Sequence, residues 1–440
     1  MNNRIVFMKY IALMISFHLL ATVNYGQISL TLEDAVKTAI ENNFNIRIAQ
    51  NNAVIQGVNN TRGNAGMLPD VALNFGQTFN INNTKQELAN GEIRQGNGAQ
   101  SRNLNANVQA NWTVFDGMRM FVTKDRLEQI ENFGKINLQL QIENTISDVM
   151  STYYAIEHQM RRIETIHQAI GISRDRLALA KLKKEAGTGS GIPVLQAEVD
   201  INADSSNLIN QEMVLKNLKI NLNRLMATDA DNDFKVMATQ DISVPNIQDI
   251  VIMANQRNKQ LMLSEKNIEI SKLTIKQWQT NQYPTLDINL GYNFTRMNAE
   301  IGLIKFNQNA GINYGLTGRW NIFNGWNNKR EIQVAKLNLE TEKLNKENLS
   351  AQLEADIYTL YNEYVNAQLI SGQEDKNISV AQQTLDITNE RMRFGTINDL
   401  ELRQAQLNVT EAQFRKIQAS YTAKIAMLAL NRLAGGLSPN

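Results

Sequence analysis

Few residues in this sequence have the type and spacing to do chemistry. Cysteine is absent from all 440 residues, so thiolate nucleophiles, disulfides and cysteine-held metals are out of reach. His158 and His167 stand nine positions apart in sequence of helical character, too far for two ligands on adjacent turns. Asp229, Asp231 and Asp233 open like a calcium loop. That loop needs glycine where Phe234 stands and glutamate where Gln240 stands. The run Ala186-Gly187-Thr188-Gly189-Ser190-Gly191 suggests a phosphate cradle, but it lacks the Gly-Lys-Ser/Thr ending and follows helix instead of strand. Helix reversal is the simpler reading of it. No nucleophile elbow or paired-carboxylate signature stands out. The expectation is a protein without catalytic residues, cofactor or metal.

The elements that remain must then carry the function. Arg4 and Lys9 followed by the apolar run Tyr10–Val23 and the small residues near Ala21–Gly26 read as a secretory signal over 1–26. An uncleaved anchor is the alternative, although the run is shorter than the roughly 20 residues a spanning helix needs. Loss of Arg4 and Lys9 would take the formal charge from +1 to −1. Nucleic acid, which wants a strongly basic face, is therefore not an expected partner. No other stretch is long and apolar enough for a helical span, so an exported chain of this kind is either soluble outside the cytoplasm or a β-barrel.

The chain is also written twice. Residues 112–226 return without a gap at 320–434: Trp112 falls on Trp320, Gly187-Thr188 on Gly395-Thr396, and Leu222-Asn223-Arg224-Leu225 on Leu430-Asn431-Arg432-Leu433. Upstream, Ala39, Ile46, Asn52 and Pro69 match Ala254, Leu261, Asn267 and Pro284 at a larger offset. A repeat this long is a supersecondary assembly built twice. The added residues of the first copy fall before Trp112, in a segment Asn82–Arg102 that reads as an exposed loop.

Each copy carries two alternating segments. Val71, Leu73, Phe75, Phe79 and Ile81 alternate with small and polar residues, and only Gln77 breaks the apolar row. Leu104, Ala106, Val108, Ala110, Trp112 and Val114 alternate with Asn, Gln and Thr. Leu286, Ile288, Leu290, Tyr292 and Phe294, then Ile312, Tyr314, Leu316, Trp320 and Ile322, repeat the pattern. Period two means one apolar and one polar face. About ten residues suits a tilted membrane strand, and the Asn-, Thr- and Gly-rich face suits a wet lumen. A half-buried soluble sheet gives the same alternation. Four strands cannot close a barrel alone, so a membrane barrel would need several chains.

Between the strand sets the period changes. Ile142, Ile146, Val149, Tyr153, Ile156, Met160 and Ile163 step by four and three, a sustained heptad. Roughly 70 helical residues at about 1.5 Å each reach on the order of 105 Å. The expected organisation is a first repeat over 27–227 (helix 32–66, strands 70–81 and 103–115, long helix 117–186, helix 192–227). A solvated linker at 228–246 follows. The second repeat covers 247–434 (helix 247–282, strands 285–296 and 309–323, long helix 327–394, helix 399–434), with a tail at 435–440. The two shorter helices of each copy would run antiparallel beside the long one.

A signal, two repeats, paired strands and long helices reversing at a Gly-Thr turn together resemble the TolC-like outer-membrane efflux proteins. The residues that carry the resemblance are Leu30-Thr31-Leu32-Glu33-Asp34-Ala35 with Asn42-Asn43, the strand starts Leu68-Pro69 and Tyr283-Pro284, and the turn Gly187…Leu195-Gln196-Ala197-Glu198 with its twin Gly395…Gln404-Ala405. The resemblance implies an α+β membrane protein: long antiparallel α-helical coiled coils plus four β-strands per subunit of a homotrimer, closing a twelve-stranded barrel in the outer membrane. It implies a passive exit duct with a large periplasmic portion, working with a periplasmic adaptor and an inner-membrane transporter, proton-driven or ATP-driven. The helix turns Gly187, Thr188, Gly189, Ser190 and Gly395, Thr396, Ile397, Asn398 would meet the adaptor. The family's gate carboxylates would fall on Glu401 and Gln404, with Asp399 nearby. The family's locking arginine would fall on Ile397, so that lock is not expected here. Asp399 and Glu401 also suit a helix N-terminus for electrostatic reasons alone. The alternative function is an exported structural or adhesin-like coiled-coil protein without transport activity.

Overall fold

The two periodicities sort into strands and helices in the computed structural model, which describes residues 28–239 and 246–437. The signal reading at 1–26, Pro245 of the linker and the last residues of the tail lie outside the described residues. In chain order the elements are β1 (Ile28–Leu30), α1 (Leu32–Asn42), α2 (Phe44–Asn59), β2 (Asp70–Glu87), β3 (Ile93–Phe115), α3 (Arg119–Glu185) and α4 (Ile192–Met226). Then follow β4 (Phe234–Val236), α5 (Ile247–Arg257), α6 (Lys259–Thr280), β5 (Thr285–Ala299), β6 (Phe306–Arg319), α7 (Asn327–Arg393) and α8 (Asp399–Leu433). The long helices α3 and α7 have 67 residues each and their return helices α4 and α8 have 35 each, so the gap-free repeat is a repeat of helix length. Among the described residues no helix is long and apolar enough to cross a membrane.

The contacts divide into two units. One holds residues up to Arg47, Gln141–Asn258 and the chain from Leu353; the other holds Ile48–Leu140 and Lys259–Gln352. The second unit contains one antiparallel sheet in the order β2-β3-β5-β6. The β3–β5 ladder, from Ser101↔Ala299 to Phe115↔Leu286, joins the two repeats. The hairpin β2–β3 runs on through the segment read as a loop, pairing Thr84↔Gly96 to Glu87↔Ile93 past a bulge at Asn82/Thr84. The added residues of the first copy therefore lengthen strands. Alternation fails there as a signal because both faces carry polar side chains, while the backbone ladder persists regardless. At the other end β6 stops at Arg319, and Trp320 lies off the ladder.

The strand-to-helix corners repeat as well. Gly117 and Met118 have φ of 68° and 71°, and Gly325 and Trp326 have 67° and 63°. Two consecutive left-handed residues turn the chain from β3 into α3 and from the end of β6 into α7. A Cβ on Gly117 would lie 2.6 Å from the Thr280 carbonyl oxygen, so the first corner requires glycine. Beside each corner a tryptophan is fastened: the Trp112 indole donates to Met67 O at 3.0 Å and that of Trp320 to Gln282 O at 3.1 Å.

In the first unit, Val149, Tyr153 and Ile156 of the α3 heptad are fully buried with Ala35, Leu222, Leu225 and Leu428. The stretch read as a solvated linker contributes to this core: Phe234 and Val236 are buried, and β4 pairs in parallel with β1. The fully buried Tyr153 hydroxyl accepts the Met237 N–H at 2.9 Å and lies 2.9 Å from Leu30 O, tying both short strands to α3. Three residues of alternation were too few to mark a strand in the sequence.

The helices read as continuous over 32–66 and 247–282 are each broken once. Asn43 ends α1 and caps α2, its Oδ1 accepting from Asn45 N at 2.8 Å, while its Nδ2 donates to Leu225 O at 2.8 Å. Asn258 ends α5 in the same way, its Nδ2 donating to Leu433 O at 3.0 Å. One buried amide thus satisfies the end of the return helix of its own repeat. Asn43→Ala or Asn258→Ala should each cost about 1–3 kcal/mol by stranding buried backbone groups. A lowered denaturation midpoint by circular dichroism, equal in size for the two variants, is the expected readout.

Candidate functional site

Two sets of residues are candidates, one in each unit. The first is the sheet. Its register places Val71, Leu73 and Phe75 in line with Val108, Tyr292, Ile312 and Tyr314 on one face. No described residue covers these side chains: Leu73 is 74% exposed, Phe75 72% and Tyr314 85%. The opposite face is an amide wall. Asn74 Nδ2 donates to Asn107 Oδ1 at 2.8 Å, Asn293 Nδ2 to Asn313 Oδ1 at 2.7 Å, and Asn289 Nδ2 to Thr317 Oγ1 at 3.1 Å. On that face the charged side chains at the helix end of the paired stretches are Asp70, Asp287 and Arg319. Asp287 accepts from Thr113 Oγ1 at 2.6 Å. The strands β2 and β6 stand at the two ends of the sheet order, so each presents an open edge.

The second set is the pair of helix reversals in the first unit. Each is closed by a left-handed glycine, Gly187 at φ 71° and Gly395 at 72°. The hydrogen bonds are those of a Schellman turn: Thr188 N–H to Lys183 O at 3.0 Å and Thr396 N–H to Arg391 O at 3.1 Å. Gly187, Thr188, Gly189, Ser190, Gly395, Thr396 and Asn398 are exposed, whereas Ile397 packs on the cluster of Leu385, Met392 and Leu402. Exposed apolar side chains flank both turns: Leu182, Ile192, Leu195, Phe394 and Leu400.

The three gate candidates separate. Glu401 and Gln404 are exposed on one face of α8, and Gln404 Nε2 donates to Asn408 Oδ1 at 2.9 Å. The Glu401 backbone N–H is capped by Asn398 Oδ1 at 2.9 Å, which leaves its carboxylate free of capping duty. Asp399 turns the other way and is buried, its Oδ1 3.4 Å from Arg176 Nε. Burial pushes its carboxyl up from the usual range, and Arg176 pulls against that shift.

Arg176 belongs to a charge cluster that sequence reasoning missed. Its guanidinium, 1% exposed, also pairs with Asp200 and lies 3.4 Å from Gln406 Oε1. Arg403 sits 3.5 Å from Asp200 and 3.2 Å from both Asp204 oxygens, and its Nη1 is 3.3 Å from Ser173 Oγ. The cluster joins α3, α4 and α8. It is incompletely satisfied: Arg176 Nε, Asp399 Oδ1 and Gln406 Nε2 are buried without hydrogen bonds, so the Arg176–Asp399 contact is ionic only. A signal for it did exist. At the repeat offset Arg176 faces Thr384, Asp200 faces Asn408, Asp204 faces Ala412, and Arg403 faces Leu195. These are positions where the two copies differ, as a pairing between unlike copies requires.

The residues considered for metal chemistry are apart. His158 is half-buried against Tyr421, with ring centres 4.7 Å apart, and burial lowers its pKa. His167 is exposed, and no metal-holding group of acidic, histidine or cysteine side chains occurs among the described residues.

Comparison with known proteins agrees with this picture. Residues 251–436 match the family model described as outer membrane efflux protein. No curated protein matches the sequence. Among solved structures, the chain is similar to CusC, described in connection with transmembrane channel formation (13% identity, 93% of each chain, TM-score 0.78). It is similar to the outer membrane protein VceC of Vibrio cholerae (14% identity, 92% of this chain and 96% of that one, TM-score 0.75). It is similar also to the CmeC outer membrane channel of Campylobacter jejuni (14% identity, 92% and 85%, TM-score 0.72). At such identities the structural likeness establishes the fold. The family and structures matched are described as efflux proteins and channels, not as enzymes.

Removing Arg176 should loosen the reversal. Arg176→Met is expected to cost about 3–5 kcal/mol by leaving Asp399 buried without its cation. Hydrogen exchange over 397–406 reads this as lost protection. Arg176→Met with Asp399→Leu should recover most of it, because an apolar pair replaces the ionic one. An unprotected double variant would mean that the charges hold something other than this turn.

Proposed function

We propose that this chain, which carries the outer membrane efflux protein pattern in its second half and the fold of those channels throughout, is the passive outer-membrane exit duct of a tripartite efflux or type I secretion system. The observation that carries the proposal is the sheet: one face apolar and exposed from the Phe75 row down to the Trp112 row, the other an amide wall, and both edges open. In hydrocarbon an unpaired edge leaves every other backbone group unsatisfied, so the edges must pair with other copies. Three chains closing a twelve-stranded barrel would turn the amide face to a wet lumen and the apolar rows to lipid.

The same reading assigns the helices to the periplasm. The exposed apolar side chains beside Gly187–Ser190 and Gly395–Asn398 suit docking of a periplasmic adaptor, and an inner-membrane transporter supplies the energy. Glu401, exposed and repeated by threefold symmetry, would form a carboxylate ring that favours cations at the constriction. Gln404 beside it adds no charge, and Asp399 is buried against Arg176 and faces away. Because the amide wall is uncharged over most of its height, charge selection would reside at the helix ends.

Fractionation should recover heat-modifiable trimers from outer membranes. A soluble monomer would favour an exported coiled-coil protein instead. In planar bilayers Glu401→Ala should raise conductance or weaken cation selectivity, and identical single-channel behaviour would remove Glu401 from the gate.

A further inference from the structure

The apolar face of the sheet has one polar island. Across the four strands, one row reads Phe79, Arg102, Asn298, Phe306 and the next reads Gln77, Leu104, Arg296, Gln308. Gln77, which interrupts the apolar row of β2, is thus part of a larger pattern. Arg102 lies with its guanidinium carbon 4.9 Å from the Phe79 ring centre, and Arg296 5.4 Å from that of Phe306. Both arginines are exposed, and neither forms a salt bridge among the described residues. They are the only charges on this face from the Val71 row to the Phe79 row; in the next row Glu300 accepts the Gln100 N–H at 2.8 Å.

The position of the island is equally specific. Below it come four rows whose only side-chain polar groups are the Tyr292 and Tyr314 hydroxyls and the Trp112 indole N–H: Phe75-Ala106-Phe294-Ala310, Leu73-Val108-Tyr292-Ile312, Val71-Ala110-Leu290-Tyr314, and Trp112-Ile288-Leu316. From Arg102 to Trp112 is ten residues, about 33 Å along a strand and roughly 25 Å along the normal at a tilt near 40°. That is the height of the apolar band of an outer-membrane barrel. The arginines therefore stand at its upper border, on the side of the hairpin turns, and the tryptophans at its lower one. An unpaired cation within the band would be costly, whereas at the border it meets headgroups.

We propose that Arg102 and Arg296 bind the phosphate of an outer-leaflet lipid, whose acyl chains lie along the apolar rows beneath. The two arginines occupy diagonal positions on β3 and β5, with backbones about 7–8 Å apart; each guanidinium lies over a ring on its outer neighbouring strand, and swinging inward would bring both onto one phosphate. Asn298, Gln77 and Gln308 add amide donors, and Phe79 and Phe306 wall the site on either side. The rows of aliphatic and aromatic side chains directly below favour a lipid over a free anion. This inference rests on the sheet being transmembrane.

The test uses detergent-purified full-length trimer and native mass spectrometry with lipid A, phosphorylated or enzymatically dephosphorylated. Wild type should retain the phosphorylated lipid at least tenfold better, and Arg102→Gln with Arg296→Gln should abolish the difference while the trimer and its conductance persist. A lysine pair, Arg102→Lys with Arg296→Lys, should be intermediate, since it keeps charge but loses the fork. Equal retention of both lipids, or an unaffected glutamine variant, would overturn the proposal. So would displacement by millimolar inorganic phosphate, which would indicate a free-anion site. A wild-type trimer that conducts but shows no preference sinks this inference alone, whereas a chain that forms no channel sinks the reading beneath it.

Discussion

The pairing of β3 with β5 is the interaction on which the rest of the sheet depends. Among the described residues it is the one ladder between the two repeats, and its register fixes which residues share a face. A shift by one residue would exchange faces on β5 and β6 and set Leu290 and Tyr292 among the asparagines. In the register found, Asn107 faces Asn293 and Val108 faces Tyr292, so the apolar and amide surfaces run unbroken across all four strands. The consequence is a sheet whose apolar face has no partner among the described residues and whose edges stay open there.

The helices answer to a different constraint. Side-chain seams between helices tolerate no change of length, and the pairs of 67 and 35 residues obey this. Within these two pairs the copies differ only in side chains, where the differences do something a perfect repeat could not. Arg176 and Arg403 find Asp399, Asp200 and Asp204 because the equivalent positions in the other copy are uncharged. A symmetric pair of copies would set like charges against like. The hairpins obey no such length rule, and there the copies diverge freely: β2 and β3 have 18 and 23 residues, β5 and β6 only 15 and 14.

Conserving backbone hydrogen bonds at breaks explains the small devices. Asn43 and Asn258 each end one helix and hold the carbonyl that ends another. The glycines at 187 and 395 close their reversals by the same pair of turn bonds. Each device appears twice because each copy has the same orphan groups to satisfy. The amide wall extends the principle to side chains, since Asn and Gln facing one another satisfy donors and acceptors without adding charge.

The sequence by itself determined the elements that repeat with a strict period. Alternation from Val71 to Ile81 and the steps from Ile142 to Ile163 are local consequences of strand and helix geometry, so they are legible residue by residue. The glycine turns were legible too, because only a left-handed residue reverses a helix so tightly. What only the tertiary structure decided are contacts between residues distant in sequence. Asp399 and Glu401 look alike in a first helical turn, and it is Arg176, more than 200 residues away, that buries one and leaves the other in water. Phe234 and Val236 looked like linker until Leu30 and Tyr153 supplied their partners. Gln77 looked like a flaw until the register set it diagonal to Arg102 and in one row with Arg296. Periodicity fixes a residue's face, but a partner from another strand or helix fixes its environment, and that depends on how the whole chain closes.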